Sequence, residues 1–354
     1  MRILFDAGHP THVHVFKNVI RMLEERGHRC LVTAREKECT AELLRALDMR
    51  YIPLGKHSKS MKGKLLKLFY FDLKLLRIAR RFSPDLIVSK MSPYAAHVSW
   101  FLRVPHIAFN DTEDAKINNA LTLPFTSAIV TPVCLKKSYG KKHHRLNGIF
   151  QLAYLHPKYF TPDEYVLKKL GLSTEDRFSV LRFISWGAAH DIGVAGITSE
   201  FAERILETLK SYGEVFISSE RRLPPVLEKH RISLHPSKFH SLLYYADLYL
   251  GEGGSTALEA AVLGTPSVHV EKVHSGAVAA PSVNSGVFRE LRDKYRLVYM
   301  YEEQEEALSK GVEILSSTDS KAEWQEKREK LLRDKIDVAE YMVDFIEDYV
   351  KTIR

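Results

Sequence analysis

The sequence predicts an α/β protein of two similar domains, each a parallel sheet with crossover helices, facing one another across a cleft. Three observations predict it. Strand-like apolar runs alternate with helical patterns from end to end. Leu155–Asp163, with two prolines and little periodicity, interrupts the series and reads as an interdomain linker. Leu248–Val270 reads as strand, glycine-rich corner, helix and strand, and in a parallel sheet such a corner lies at the carboxyl end of a strand, where ligands bind.

Arg2–Asp6 is the first strand, and Val13–Arg26 a helix with Val15, Val19, Ile20 and Leu23 at helical spacing. Gly27-His28 closes that helix, and Cys30–Thr33 is the next strand. Ala41–Leu47 reads as helix and Tyr51–Leu54 as strand. Lys62–Phe82 is basic and apolar-rich, with Leu65, Leu66, Phe69, Leu73 and Leu76 on one helical side. It suits either an anionic membrane surface or a crossover helix packed on the sheet. Leu86–Ser89, Ile107–Phe109 and Ala128–Thr131 are further strands, and the first domain is complete by about Leu152.

The second series runs from strand Ser179–Ile184 through helix Ser199–Ser211, strand Glu214–Ser218 and helix Ser241–Ala246. It continues with strand Leu248–Leu250, helix Thr256–Leu263 and strand Ser267–Val270. Beyond Glu302 the pattern is helical and charged. Residues 322–354 read as one or two long helices, the last amphipathic through Ile336, Ala339, Met342, Ile346 and Val350.

At 354 residues, 45% apolar and 27% charged, the chain has the composition of a soluble globular protein with room for two cores. Its net charge of +8 suits polyanions, anionic membrane surfaces or nucleotide phosphates. No helix-turn-helix, zinc-finger or single-strand-binding pattern is present, so nucleic acid is not an expected partner. Three cysteines without metal-site spacing, an N-terminus that enters a strand directly and no long apolar run lead to a cytoplasmic expectation. Membrane association would then be through the protein surface alone.

The corner Gly251-Glu252-Gly253-Gly254 lets backbone amides approach a ligand, and the unpaired amides of the following helix start attract anions. It reads as a diphosphate cradle that is neither a P-loop nor a dinucleotide fingerprint. A packing reading stays open beside it, because Gly264-Thr265-Pro266 is ordinary helix-stop chemistry. Thr256 and Glu259 also fit a capping box. The first strand leads into Asp6-Ala7-Gly8-His9-Pro10-Thr11-His12-Val13-His14, where a neutral imidazole, His12 or His9, could accept or donate a proton. His14 reads equally as a helix residue, and no carboxylate or cysteine completes a metal site. Asp111 and Glu113, in Asn110-Asp111-Thr112-Glu113-Asp114, could orient a hydroxyl-rich substrate or act as bases; alternatively Asp111 or Thr112 caps the next helix. In the second half, Ser185 (in Arg182-Phe183-Ile184-Ser185-Trp186) and Ser219 could bind phosphate oxygens, and Arg221 could offset their charge. Solvated loops account for the arginines as well. Phe239, in Leu234–His240, is placed to hold a base.

Together these residues resemble the two-Rossmann-domain glycosyltransferases of GT-B type, and the corner with Glu259 and Gly264-Thr265-Pro266 is similar to the nucleotide-sugar motif of their second domain. That motif is shared with the peptidoglycan N-acetylglucosaminyltransferase and the UDP-N-acetylglucosamine 2-epimerase. The whole chain resembles the domain-of-unknown-function family 354 through residues Asp6–Lys17, Arg26-Gly27-His28, Asn110–Glu113 and Tyr245-Ala246-Asp247. The resemblance implies that Gly253, Gly254, Ser255 and Thr256 hold a diphosphate and that Glu259 bonds the ribose. It implies that the His9–His12 loop faces the donor sugar, with His12 at the transferase histidine position. It implies a first domain of residues 1–155 completed by a returning C-terminal helix, 335–354, and a donor domain of residues 156–334. It also implies metal-independent chemistry with no cofactor besides the nucleotide-sugar substrate. The first loop departs from the family pattern in lacking Gly-Gly-x-Gly-Gly, so donor geometry does not carry over.

The leading expectation is a glycosyltransferase taking a UDP-type nucleotide-diphosphate sugar to an unidentified acceptor, lipid-linked if Lys62–Phe82 docks on a membrane. His12 would be the base or sugar-orienting group, and the helix start at Ser255 would stabilise the leaving diphosphate. The rivals are a nucleotide-sugar epimerase and a non-catalytic nucleotide-sugar-binding protein.

Overall fold

Short apolar runs become strands buried on both faces, and those strands line up in parallel. The computed structural model describes residues 1–37, 39–56, 61–113, 115–184, 194–273, 282 and 285–353. Its chain divides into two units, Met1–Tyr159 with Lys335–Arg354, and Phe160–Asp334.

The first unit holds β1 (Arg2–Ala7), β2 (Arg29–Glu36), β3 (Tyr51–Lys56), β4 (Leu86–Ser89), β5 (His106–Phe109), β6 (Ala128–Pro132) and β7 (His143–Leu146). They form one parallel sheet in the order β3-β2-β1-β4-β5-β6-β7. β4, β5 and β6 are buried at every residue, as parallel strands covered on both sides must be. The sheet grows one way through β2 and β3 and the other way from β4, so the order reverses between β1 and β4. Right-handed crossovers then put helices Pro10–Glu25 and Thr40–Ala46 on one face and Met61–Phe82, Pro93–Leu102 and Lys116–Thr122 on the other.

The first of these layers also receives the C-terminal helix Val338–Ile353, which packs on Pro10–Glu25. Its Ala339, Met342, Ile346 and Val350 are buried, and Arg26 pairs with Asp344 and Glu347 at 2.7 and 2.9 Å. The charged tail therefore comprises two helices, Ser320–Asp334 and Val338–Ile353, belonging to different units.

Met61–Phe82 is the crossover helix from β3 to β4, but the side that faces the sheet differs from the expected stripe. Phe71, Leu75 and Ala79 pack with Leu4, Leu54 and Ile87, while Phe69 and Leu73 are 63% and 55% exposed. Leu76 is partly buried against the same core, and the side chains of Leu65 and Leu66 lie outside the described ones. A helix with apolar residues on two sides offers two periodic readings, and the expected stripe mixes the two, Leu76 facing the core and Phe69 and Leu73 facing solvent.

The second unit holds β8 (Phe178–Phe183), β9 (Val194–Ala195), β10 (Glu214–Ser219), β11 (Leu248–Gly251), β12 (Ser267–Val270), β13 (Lys272–Val273) and β14 (Val298–Tyr301). Five of them form a parallel sheet in the order β10-β8-β11-β12-β14; β9 and β13 make a separate antiparallel ribbon. Here the order reverses between β8 and β11.

Candidate functional site

In the first unit the candidate residues gather where the strand order reverses, the crevice position for ligands in an open parallel sheet. His9 is the N-cap of helix Pro10–Glu25: its backbone is extended (φ −156°, ψ 152°), its Nδ1 accepts from the Thr11 amide at 3.2 Å, and Pro10 opens the helix. Capping is thus a structural task of one of the two expected imidazoles. His12 lies within the first turn, half-buried, its ring 5.9 Å from that of His9. Its Nδ1 accepts from the Gly8 amide at 3.3 Å. An amide can only donate, so Nδ1 keeps its lone pair and Nε2 carries the proton. Burial, then the neighbouring Lys90, the His9 ring, Arg35 and Lys37, holds the His12 pKa well below that of an ordinary imidazole. At neutral pH the ring is uncharged and has one N–H to offer. His14 stacks on Tyr154 in the helix packing.

Lys90, the first residue after β4, pairs at 2.7 Å with Asp111, the second after β5; their side chains are 8% and 18% exposed. The Lys90 ammonium also lies 5.2 Å from the Phe150 ring centroid. At the end of β1 the buried Asp6 accepts from Thr33 at 3.0 Å and Ser92 at 2.5 Å, with Arg35 4.0 Å away. A Cβ on Gly8 would run into the Arg35 guanidinium, so this glycine admits a protein cation to the loop. Arg35 and Lys90 are absent from the sequence-based set. Their signal was position alone, at or just past the carboxyl end of a strand.

Asp111 therefore joins the His12 surroundings through Lys90, whereas Glu113 turns to backbone, accepting from the Lys136 and Lys137 amides at 2.7 and 3.4 Å. Neither Asp111 nor Thr112 caps helix Lys116–Thr122, which has no side-chain cap; the Thr112 amide instead donates to Asn110 at 3.0 Å. Asp114 lies outside the described residues.

In the second unit the glycine corner also stands at a reversal of strand order. Its helix is Gly254–Leu263, beginning two residues before the expected start, with Gly253 as N-cap and Gly264 closing it at φ 78°. The amides of Gly254, Ser255 and Thr256 have no hydrogen-bond partner among the described residues. The glycines have packing reasons as well: a Cβ on Gly251 would lie 2.5 Å from the Arg182 carbonyl oxygen, and one on Gly254 would lie 3.1 Å from Ser282 Oγ. Because Thr256 is inside the helix, the capping-box reading of Glu259 is overturned. Its carboxylate lies instead 3.3 Å from His240 Nε2, both side chains under a tenth exposed.

Glu252 has a structural role that its sequence position did not reveal. Only 1% exposed, it accepts from the Ile184 amide at 2.8 Å and the Ile197 amide at 2.5 Å, with Arg221 Nη2 at 3.5 Å. Arg221 also donates to the Ile197 carbonyl at 2.7 Å, so its charge is committed within the protein. Ser219 closes a turn, donating to the Arg221 carbonyl at 2.9 Å and accepting from the Arg221 amide at 3.2 Å. Phe239 opens helix Phe239–Tyr245, half-buried, and the next residue, His240, is the Glu259 partner. Ser185, with Trp186, Gly187, His190 and Asp191, lies outside the described residues. Among the described residues no three His, Cys, Asp or Glu side chains gather as a metal site.

The sequence profile of the family described as protein of unknown function DUF354 matches residues 1–349. The chain belongs to that family. This DUF354 member is 27% identical over 282 residues to an uncharacterized protein of Methanocaldococcus jannaschii, spanning 75% of this chain and 80% of that one. Its fold is that of GT-B glycosyltransferases and UDP-GlcNAc 2-epimerases. The glycosyltransferase SsfS6 of Streptomyces sp. SF2575 superposes with a TM-score of 0.62 at 14% identity, over 98% of this chain and 99% of that one. The UDP-GlcNAc 2-epimerase of M. jannaschii gives 0.63 at 15%, over 93% and 99%.

Proposed function

We propose that the protein is a glycosyltransferase whose second unit binds the diphosphate of a nucleotide sugar and whose first unit supplies His12. The observation that carries the reading is the His12 environment: a ring kept neutral and holding its proton on Nε2, among the cations Lys90, Arg35 and Lys37. An N–H donor beside fixed positive charge stabilises an oxygen on which negative charge develops. In this tautomer His12 orients a sugar hydroxyl or donates to a departing oxygen; it does not act as the base. Asp111, held by Lys90 at 2.7 Å, is the candidate proton acceptor.

In the second unit the three amides at the start of helix Gly254–Leu263, without a partner among the described residues, suit a phosphate group, and Glu259 suits the ribose hydroxyls while it remains paired with His240. UDP is the diphosphate tried first. Ser185 and Phe239 are proposed to complete that site, and no metal ion takes part.

The test is a melting-temperature screen against nucleoside diphosphates and their sugars, followed by assay of donor consumption. One diphosphate series should stabilise the protein, by about 2.7 kcal/mol at a hundred times its dissociation constant. His12→Ala should keep that stabilisation and lose turnover. Conversion of the nucleotide sugar to an isomer would make the protein an epimerase, and stabilisation without any conversion would make it a binding protein. No stabilisation at millimolar ligand would end the nucleotide-sugar reading.

A further inference from the structure

Seven of the eleven large apolar side chains exposed among the described residues lie on one helical layer of the first unit. Phe69, Tyr70 and Leu73 are on Met61–Phe82, Trp100 and Phe101 on Pro93–Leu102, and Ile117 and Leu121 on Lys116–Thr122. Singly exposed apolar residues are ordinary, but their concentration on neighbouring elements marks an interaction surface. The same layer concentrates positive charge. Helix Met61–Phe82 carries seven Lys and Arg against the single acid Asp72, and Asp72 is taken up by His97 at 3.0 Å. Arg77, Arg80, Arg81, Arg103 and Lys116 are exposed, and the Arg80 guanidinium lies 5.3 Å from the Phe101 ring centroid. An open cavity of ≈ 680 Å³ adjoins the layer, lined in part by Trp100, Phe101, Arg103, Phe125 and Tyr349.

We propose that this layer docks the protein on an anionic lipid bilayer. Aromatic rings and aliphatic tips insert at the boundary between headgroups and acyl chains, and Lys and Arg meet lipid phosphates. A second copy of the chain fits poorly, because it would set one cationic layer against another. No described helix is long and apolar enough to cross a membrane, so the contact is peripheral.

The experiment is flotation of the full chain with phosphatidylcholine vesicles, with and without phosphatidylglycerol. The protein should float with the anionic vesicles at low salt, stay behind with neutral ones, and be released by high salt. A triple variant, Arg77→Gln, Arg80→Gln and Arg81→Gln, should reduce partitioning at least ten-fold, since each cation near the surface accounts for about five-fold. Trp100 emission should shift to the blue on vesicle binding, and Trp100→Phe should remove that shift. If the triple variant does not fold, Lys116→Gln with Ile117→Ser gives the same reading. Failure to float with anionic vesicles at low salt, or unchanged flotation of folded variants, would overturn the proposal. So would binding of single-stranded RNA through these residues in a protein that never floats. Vesicle binding is read without turnover, so this proposal and the transferase reading fail separately.

Discussion

Replacing Glu252 should destabilise the second unit more than any substitution at its exposed charges. Its carboxylate, itself almost without access to water, is the acceptor for two backbone amides, Ile184 and Ile197, and faces the half-buried Arg221 guanidinium. A hydrogen bond to a charged acceptor contributes about 1.5–3 kcal/mol. Both amide bonds depend on one side chain, so Glu252→Ala should cost about 3–5 kcal/mol, a large fraction of the roughly 5–15 kcal/mol that holds a domain together. Glu252→Gln keeps an acceptor oxygen for one amide and should cost about half as much. Urea unfolding can be followed through Trp324, a buried reporter in the same unit whose indole donates to the Leu297 carbonyl at 3.1 Å. A shift worth less than about 1 kcal/mol at unchanged m-value would refute the assignment.

His106 is fully buried between Ser89 at 2.9 Å and Thr126 at 3.1 Å, and burial followed by the Lys142 charge lowers its pKa to about 3. The unfolded chain takes up a proton near pH 6.5 that the folded chain refuses, so each pH unit below that should remove about 1.4 kcal/mol until about pH 3. His12 acts with the same sign, its pKa lying below that of an ordinary imidazole, and the imidazole NMR shifts of His106 should remain those of the neutral form at about pH 5. Protonation of His106 there would contradict the burial argument. His97 acts oppositely: its bond to Asp72 raises its pKa, so that contribution is complete below the unfolded value of about 6.5 and is lost as pH rises through the folded one. Asp72→Asn should abolish this pH dependence in thermal melts, and its persistence would place the titration elsewhere. At Gly148 a Cβ would collide with Val338, so Gly148→Ala should cost about 1–3 kcal/mol and reduce hydrogen-exchange protection across residues 338–353.

The fold was largely legible because strands buried on both faces are written as short apolar runs. Leu86–Ser89 and Ser267–Val270 have the bounds read from sequence. β7 was not, since its HHRL is an edge strand whose polar residues carry no such run. The glycine corner was legible as geometry, while Glu252 was not: a carboxylate serving amides far along the chain leaves no local pattern. Lys90 escaped for a similar reason, its partners Asp111 and Phe150 lying on other segments. The capping-box reading of Glu259 failed because the helix begins at Gly254, and a two-residue shift in a boundary changes what each side chain can reach.

The return of the C-terminal helix to the first unit has a consequence for synthesis. The surface that Ala339, Met342, Ile346 and Val350 cover, on helices Pro10–Glu25 and Leu152–Leu155, is translated before the second unit, and its cover comes only after the entire second unit. At ribosomal rates of about 5–20 residues per second, the nascent first unit waits roughly ten to forty seconds with that face bare. Over that interval the second unit can fold to completion while the first is still unfinished, so the chain matures with its inserted half ahead of its beginning.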